Sequence, residues 1–195
     1  MRPAADAATQ GTIATVSDQR RLYLLRHAKS SWDDPSQPDH DRTLSERGRR
    51  AVKLLARHLA ERRIEPELVL CSSARRTRET LEGLRLRSTT VIEHRLYGAG
   101  ADDLLERLRG VDPQLRSVML VGHNPALQML VLRLAAGELP GRPAGAEGLA
   151  EIANKLPTGA LVTLRLESPW AQLGPRGALL EDYVRPKALQ FPAAG

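Results

Sequence analysis

This sequence has little of what several protein classes require. It has one cysteine, Cys71, in 195 residues, so no internal disulfide can form, and the chain reads as one suited to a reducing, cytoplasmic compartment. Aromatic residues make up only 3% of it, too few for the stacking platforms on which single-stranded nucleic acids are held. No apolar run approaches the roughly 18 residues that suggest a membrane span. The first 19 residues include Arg2 but no apolar stretch of signal-peptide length, and are expected to form a flexible leader. Acidic residues are outnumbered, 23 against 29 Lys and Arg, for a net charge of +6. That excess favours an anionic ligand. The basic residues are nevertheless interleaved with acids, as in ERGRRAVKLLARHLAERR (46–63), the pattern of a salt-bridged helix face rather than of a stripe that follows a phosphate backbone. Neither nucleic acid nor membrane is expected as a partner, and the oligomeric state is left open.

What is there suggests one domain, since 195 residues fill one core well and two poorly. Short apolar runs alternate with amphipathic segments, the signature of an α/β domain: three layers, with a mostly parallel central sheet flanked by helices. Strands are expected at 22–26, 67–71, 89–92, 116–121 and 160–166, and helices at 45–63, 74–87, 101–110 and 125–136. The first helix has a capping-box pattern, Thr43-x-x-Glu46, followed by Val52, Leu55 and Leu59 at helical spacing, and should end before Glu65-Pro66. The Gly-, Pro- and Ala-rich segment 137–159 reads as a loop with at most one helical turn. The domain is expected to run from 20 to 189, with a short tail at 190–195.

In open α/β sheets ligands bind beyond the carboxyl ends of the strands. Three expected strands end in polar clusters there: Arg26-His27, SSARRTRET (72–80) and Gly122-His123-Asn124-Pro125. Two histidines and several arginines can thus converge from distant segments. Phosphoryl transfer needs a nucleophile, donors around the non-bridging oxygens and a proton for the leaving group. Neutral imidazole is a competent nucleophile near pH 7, and guanidinium forks fit phosphate. Cys71 precedes an arginine-bearing loop, but a cysteine-dependent phosphatase needs arginine six positions on, where Thr77 stands. It reads instead as a small buried residue. The five histidines include no close pair of the zinc-ligand kind, so neither a metal nor a cofactor is expected. His40, His58 and His94 read as structural or solvated.

The pieces LLRHAKSSW (24–32), DHDRTLSERG (39–48), SSARRTRET, LYGAG (96–100) and VGHNPAL (121–127), taken in order, resemble the histidine phosphatase superfamily, and within it the SixA-like phosphohistidine phosphatases. The resemblance runs from about Leu22 to Leu189 and implies a phosphoglycerate mutase-like fold. It implies that His27 is the phosphorylated nucleophile and Arg26 its phosphate-binding neighbour. Arg76, rather than Arg75, has the family spacing of four residues from both Ser72 and Thr80, and His123 is the second histidine. Thr77 stands where alanine is common and Ala28 where many relatives have glycine; neither change removes a charge. Glu93 is the candidate general acid, while Lys29, Ser30 and Asn124 are candidates for substrate binding. Lys29, Ser30 and Ser31 equally suit a solvated loop. The short connection from Arg76 to His123 leaves little room for a lid. Protein phosphohistidine is therefore the expected substrate. A small phosphate ester, a catalytically silent phosphohistidine reader and a basic nucleic-acid-binding module stand as alternatives.

Overall fold

A computed structural model describes residues 19–138 and 145–189 of the chain; the expected leader, apart from Gln19, and the expected tail lie outside the described residues. Seven strands form one mixed sheet in the order β3-β2-β4-β1-β6-β7-β5: β1 Arg20–Arg26, β2 Leu68–Ser72, β3 Thr89–Glu93, β4 Ser117–Gly122, β5 Ala135–Glu138, β6 Leu161–Leu166 and β7 Ala178–Val184. Strands β1, β4, β2 and β3 are parallel, whereas β6 runs antiparallel to both β1 and β7. The sheet is thus mostly parallel, as expected.

The side-chain period of two explains the three layers. Leu22 and Leu24 of β1, with Val118 and Leu120 of β4, face one core, shared with α3 (Ala101–Arg109), α4 (Ala126–Leu134) and α5 (Gly145–Asn154). Their neighbours Tyr23, Leu25, Met119 and Val121 face the other, shared with α1 (Glu46–Arg62) and α2 (Arg75–Leu84). The central strands are buried on both sides, which is why they read as continuous apolar runs. Among the described residues no helix is long and apolar enough to cross a membrane.

Three sequence expectations need correction. Helix α1 is capped by Ser45, whose side chain accepts a hydrogen bond from Gly48 N, and not by Thr43. Segment 137–159 holds the end of β5 and all of α5, more than the single turn expected. Its helix was obscured by Ala and Gly, but Leu149, Ile152 and Leu156 pack into the core with α4. Strand β7 was not anticipated because Glu181 and Asp182 interrupt its apolar pattern; Glu181 is buried and paired with Arg21 Nε at 2.7 Å.

Candidate active site

The topology itself assembles the site. Strand β4 lies between β2 and β1, with Cys71, Val121 and Leu25 in one row across the three. The residues just beyond that row are therefore neighbours, although they come from three segments: Ser72, His123 and His27. His27 N donates to Gly122 O at 3.1 Å, which fixes the chain where it leaves β1.

The hydrogen bonds also determine the histidine tautomers. His27 is 7% exposed, and its Nδ1 lies 2.7 Å from Ala28 O. A carbonyl can only accept, so Nδ1 bears the proton and Nε2 keeps its lone pair. That Nε2 accepts from Arg76 Nε at 3.3 Å. His123 has the opposite tautomer: Nδ1 accepts from Arg76 Nη2 at 3.4 Å, leaving the Nε2 proton to be donated to Ser72 Oγ at 2.8 Å. The two rings lie 5.2 Å apart, centroid to centroid, with one guanidinium bonded to both.

The spacing Ser72-Arg76-Thr80 now has a physical reason. Arg76 and Thr80 lie one turn apart on one face of α2, just after Ser72 at the end of β2; Ser72 accepts from His123, Arg76 reaches both imidazoles, and Thr80 Oγ1 accepts from Ala28 N at 3.0 Å while donating to Arg76 O at 2.6 Å. Thr80 thereby ties α2 to the residue after His27. Thr77 is buried and satisfied, its single hydroxyl proton within reach of both Ser72 O and Ala74 O, so its departure from alanine is accommodated within the helix start. Arg75, by contrast, points outward and pairs with Glu79 at 2.9 Å.

Electrostatics hold both imidazoles neutral. Burial pushes the His27 pKa down to about 3, against the bond to Ala28 O, with His123, Arg76 and Arg26 adding repulsion. Burial and then Arg76 push His123 down to about 4. The Arg26 pKa is lowered by burial and by Arg76. Arg26 Nη1 donates to Leu156 O at 2.7 Å, but its buried Nε has no partner. Two crowded guanidiniums, one with an unused donor, make a place where a dianion is stabilised.

These positions predict a titration. The unfolded imidazoles take up protons near pH 6.5 while the folded ones stay neutral to about 3 and 4. The unfolded state therefore binds more protons between those limits; stability is complete above pH 6.5 and declines as pH falls from there toward the folded values. In phosphate-free buffer, the proton NMR signals of His27 and His123 should stay at their neutral positions from pH 7.5 to 5. A midpoint near 6.5 for either would contradict the buried geometry.

The remaining sequence candidates divide. Lys29 is exposed, and its carbonyl accepts from Ser45 N and Oγ at 2.9 and 3.0 Å. Ser30 is half-buried, in a β-bridge with Leu44. Asn124 spends both amide protons on Gln128 Oε1 and Leu156 O, at 3.0 and 3.1 Å. It has no proton left for a phosphate, so it positions the loop rather than binding substrate. Glu93 is also displaced from its expected role. Its carboxylate is bonded to Arg107 and Arg95, at 2.8 and 2.6 Å; although burial acts the other way, these bonds keep its pKa below the usual value. A carboxylate so held is a poor proton donor near neutral pH. Cys71 is buried, with its thiol pushed up to about 12 by burial, and offers no thiolate.

Sequence reading missed Asp39. Its carbonyl and Oδ2 accept from Arg76 Nη1 and Nη2, at 2.5 and 2.9 Å, and Oδ2 also accepts from Tyr97 OH at 2.9 Å. Burial opposes ionisation, but Tyr97 and Arg76 outweigh it and hold the pKa below the carboxylate range. Tyr97 stacks edge-on against His123 and His40, and His40 Nε2 lies 2.9 Å from Ser73 Oγ. His40 thus belongs to the rim of the site. The DHD and LYG segments that supply these groups are visible in the sequence, but no spacing within either links it to Arg76. Among the described residues no group of three or more His, Cys, Asp or Glu is arranged to hold a metal ion.

Residues 22–97 match the family model of the histidine phosphatase superfamily (branch 1). An uncharacterized protein of Mycobacterium tuberculosis, Rv1276c, is 34% identical over 164 residues, covering 84% of this chain and all of that one. An uncharacterized Arabidopsis thaliana protein, described as chloroplastic, is 32% identical over 190 residues, 91% of this chain and 83% of its own. Among solved structures, one from Nakamurella multipartitia assigned as a phosphohistidine phosphatase SixA superposes with a TM-score of 0.73 at 28% identity, covering 90% of this chain and 98% of that one.

Proposed function

The chain belongs to the histidine phosphatase superfamily, in its SixA-like branch, and from that premise we propose that it removes phosphate from protein phosphohistidine through a covalent intermediate on His27. The observation that supports this most is the lone pair of His27 Nε2, kept unprotonated by the Nδ1–Ala28 bond and facing the Arg76 guanidinium.

In this mechanism the substrate phosphoryl group lies between the two imidazoles, its equatorial oxygens taking donors from Arg76 and Arg26. Nε2 attacks phosphorus; an N–P bond forms to His27 as the N–P bond to the substrate imidazole breaks, the electron pair leaving with that imidazole. His123, neutral and orientated by Ser72, faces the phosphoryl oxygens. Water then attacks the enzyme phosphohistidine, releasing inorganic phosphate and returning His27 to its starting tautomer. Charge is neutralised throughout by guanidinium groups, so EDTA is expected to leave activity unchanged. Loss of activity restored by an added metal ion would contradict the scheme.

The leaving group favours phosphohistidine. A serine alkoxide must be protonated as it departs, whereas an imidazole already protonated on its other nitrogen leaves neutral. Asp39 and Glu93 are both held ionised by arginines, the wrong state for donating a proton. A panel comparing a phosphohistidine protein with phosphoserine peptides and small phosphate esters should give a preference of about 100-fold or more, the scale of one general acid. Equal turnover of phosphoserine would shift the assignment to a phosphomonoesterase.

A further inference from the structure

A groove of about 600 Å³ opens beside the site between the first two turns of α1, the segment just before β6 and the turn at Pro186–Ala188. Six cations line it, namely Lys29, Arg47, Arg50, Lys155, Arg185 and Lys187, and no carboxylate does. Arg50 is paired with Glu46 and Arg185 with Glu151, outside the lining. The other four are exposed and make no ion pair among the described residues. The groove adjoins the nucleophile: Lys29 is two residues beyond His27, and Gly159 N donates to both Arg26 O and His27 O at 3.0 Å. Gly159 has φ +77°, and a Cβ there would meet the Pro186 ring at 2.8 Å and Ala28 Cα at 4.0 Å. Glycine therefore lets the Pro186 turn close against the loop that carries His27.

Four cations that make no ion pair among the described residues share one exposed surface with no lining carboxylate to offset them, and such a concentration of one sign attracts anions. The form of the surface indicates which anion. The free groups are three lysines and one arginine on separate segments, flexible and hydrated, without a buried donor set converging on a point. That suits diffuse attraction to many carboxylates better than chelation of a second phosphate.

We propose that this groove docks an acidic protein surface surrounding the phosphorylated histidine of the substrate, raising the rate of encounter rather than the rate of chemistry. The proposal rests on the phosphoprotein reading above, so binding and turnover are tested separately. The triple variant Arg47→Glu, Lys155→Glu, Lys187→Glu spares every residue bonded to the two histidines. In this variant, kcat/KM for a phosphohistidine protein with carboxylates flanking the histidine should fall by about 10- to 100-fold, within the range of electrostatic steering. Its kcat on that protein, its melting temperature and its turnover of free phosphohistidine should stay within about twofold of the parent, and salt should weaken the parent's kcat/KM more than the variant's. Replacing the flanking carboxylates of the substrate by amides should produce the same loss in the parent protein. Independently of turnover, the same phosphoprotein should bind the His27→Ala protein in 50 mM salt and bind it at least tenfold more weakly once the triple substitution is added.

If binding is absent or unaffected by the triple change, the docking surface is refuted whatever the enzyme hydrolyses. Binding that survives while the parent fails to hydrolyse the phosphoprotein refutes the substrate assignment and leaves the surface standing. Equal losses on free phosphohistidine would place the groove within the chemistry instead. Tighter binding of an RNA oligonucleotide through the same three residues would replace the acidic protein as occupant.

Discussion

Replacing His27 with alanine is expected to abolish turnover while leaving the fold intact. His27 Nε2 is the lone pair that meets Arg76 Nε, and Ala28, not the imidazole, makes the bond to Thr80 that joins the loop to α2. No second nucleophile can substitute. Cys71 is protonated and buried, and the Nε2 of His123 is tied to Ser72 Oγ, which leaves its ring set to contact the phosphoryl group rather than to attack it. A covalent mechanism that loses its nucleophile loses its rate advantage by many orders of magnitude. The test is twofold: steady-state turnover of a phosphohistidine protein, and trapping of the phosphorylated enzyme under alkaline conditions, because an acid quench would destroy a phosphoramidate. The parent should carry label on His27 and the variant none. Near-native turnover by the variant would end the covalent reading. Phosphohistidine binding without turnover by the parent itself would favour a silent reader.

Arg76→Ala is expected to cost about 2–4 kcal/mol of transition-state stabilisation, the scale of a preorganised donor at a developing anion, which corresponds to roughly 30- to 1000-fold in kcat/KM. Arg75→Ala should cost little, since it removes only an exposed pair with Glu79, worth no more than about 0.5 kcal/mol. Arg76 uses Nε, Nη1 and Nη2 at once, on His27, Asp39 and His123. Lysine cannot reproduce that planar fork, so Arg76→Lys should remain nearly as impaired as Arg76→Ala. Equal losses at 75 and 76 would show the site misplaced by one residue. Melting temperatures measured alongside separate a lost donor from a lost fold, because Arg76→Ala also strips Asp39 of its main cation.

The core of this chain was legible before any coordinates. Leu22, Leu24, Tyr23 and Leu25 alternate between two cores, and the resulting apolar run marks β1 without reference to anything distant. Val52, Leu55 and Leu59 mark α1 in the same local way. Strand β7 was not legible, because its two acids are explained only by a partner: Glu181 is tolerated inside because Arg21, on β1, reaches it. Nor was α5, whose few large apolar residues become a pattern only against α4. At the site, the resemblance carried by Arg-His, Ser-x-x-x-Arg-x-x-x-Thr and Gly-His-Asn-Pro pointed to His27, Arg26, Arg76 and His123, and the fold brings these four together. It engages Glu93 with two arginines and Asn124 with the Gln128 side chain and the Leu156 carbonyl, and it introduces Asp39 and Tyr97.

The sequence by itself determined β1 to β4, β6 and α1 to α4 and which residue types stand at those strand ends, because burial against a sheet imprints periods of two and 3.6 on neighbouring residues. Only the tertiary structure decided the protonated nitrogen of each histidine, the arginine that reaches both of them, the carboxylate that holds that arginine and the gathering of six cations beside the nucleophile. Apart from the His27 tautomer, which the adjacent Ala28 carbonyl sets, those are properties of contacts between distant segments, 37 to 51 residues apart for the bonds of Arg76 to Asp39, His27 and His123 and of His123 to Ser72. Such contacts depend on strand order, with β4 lying between β2 and β1, and strand order leaves no mark on any local window of the chain.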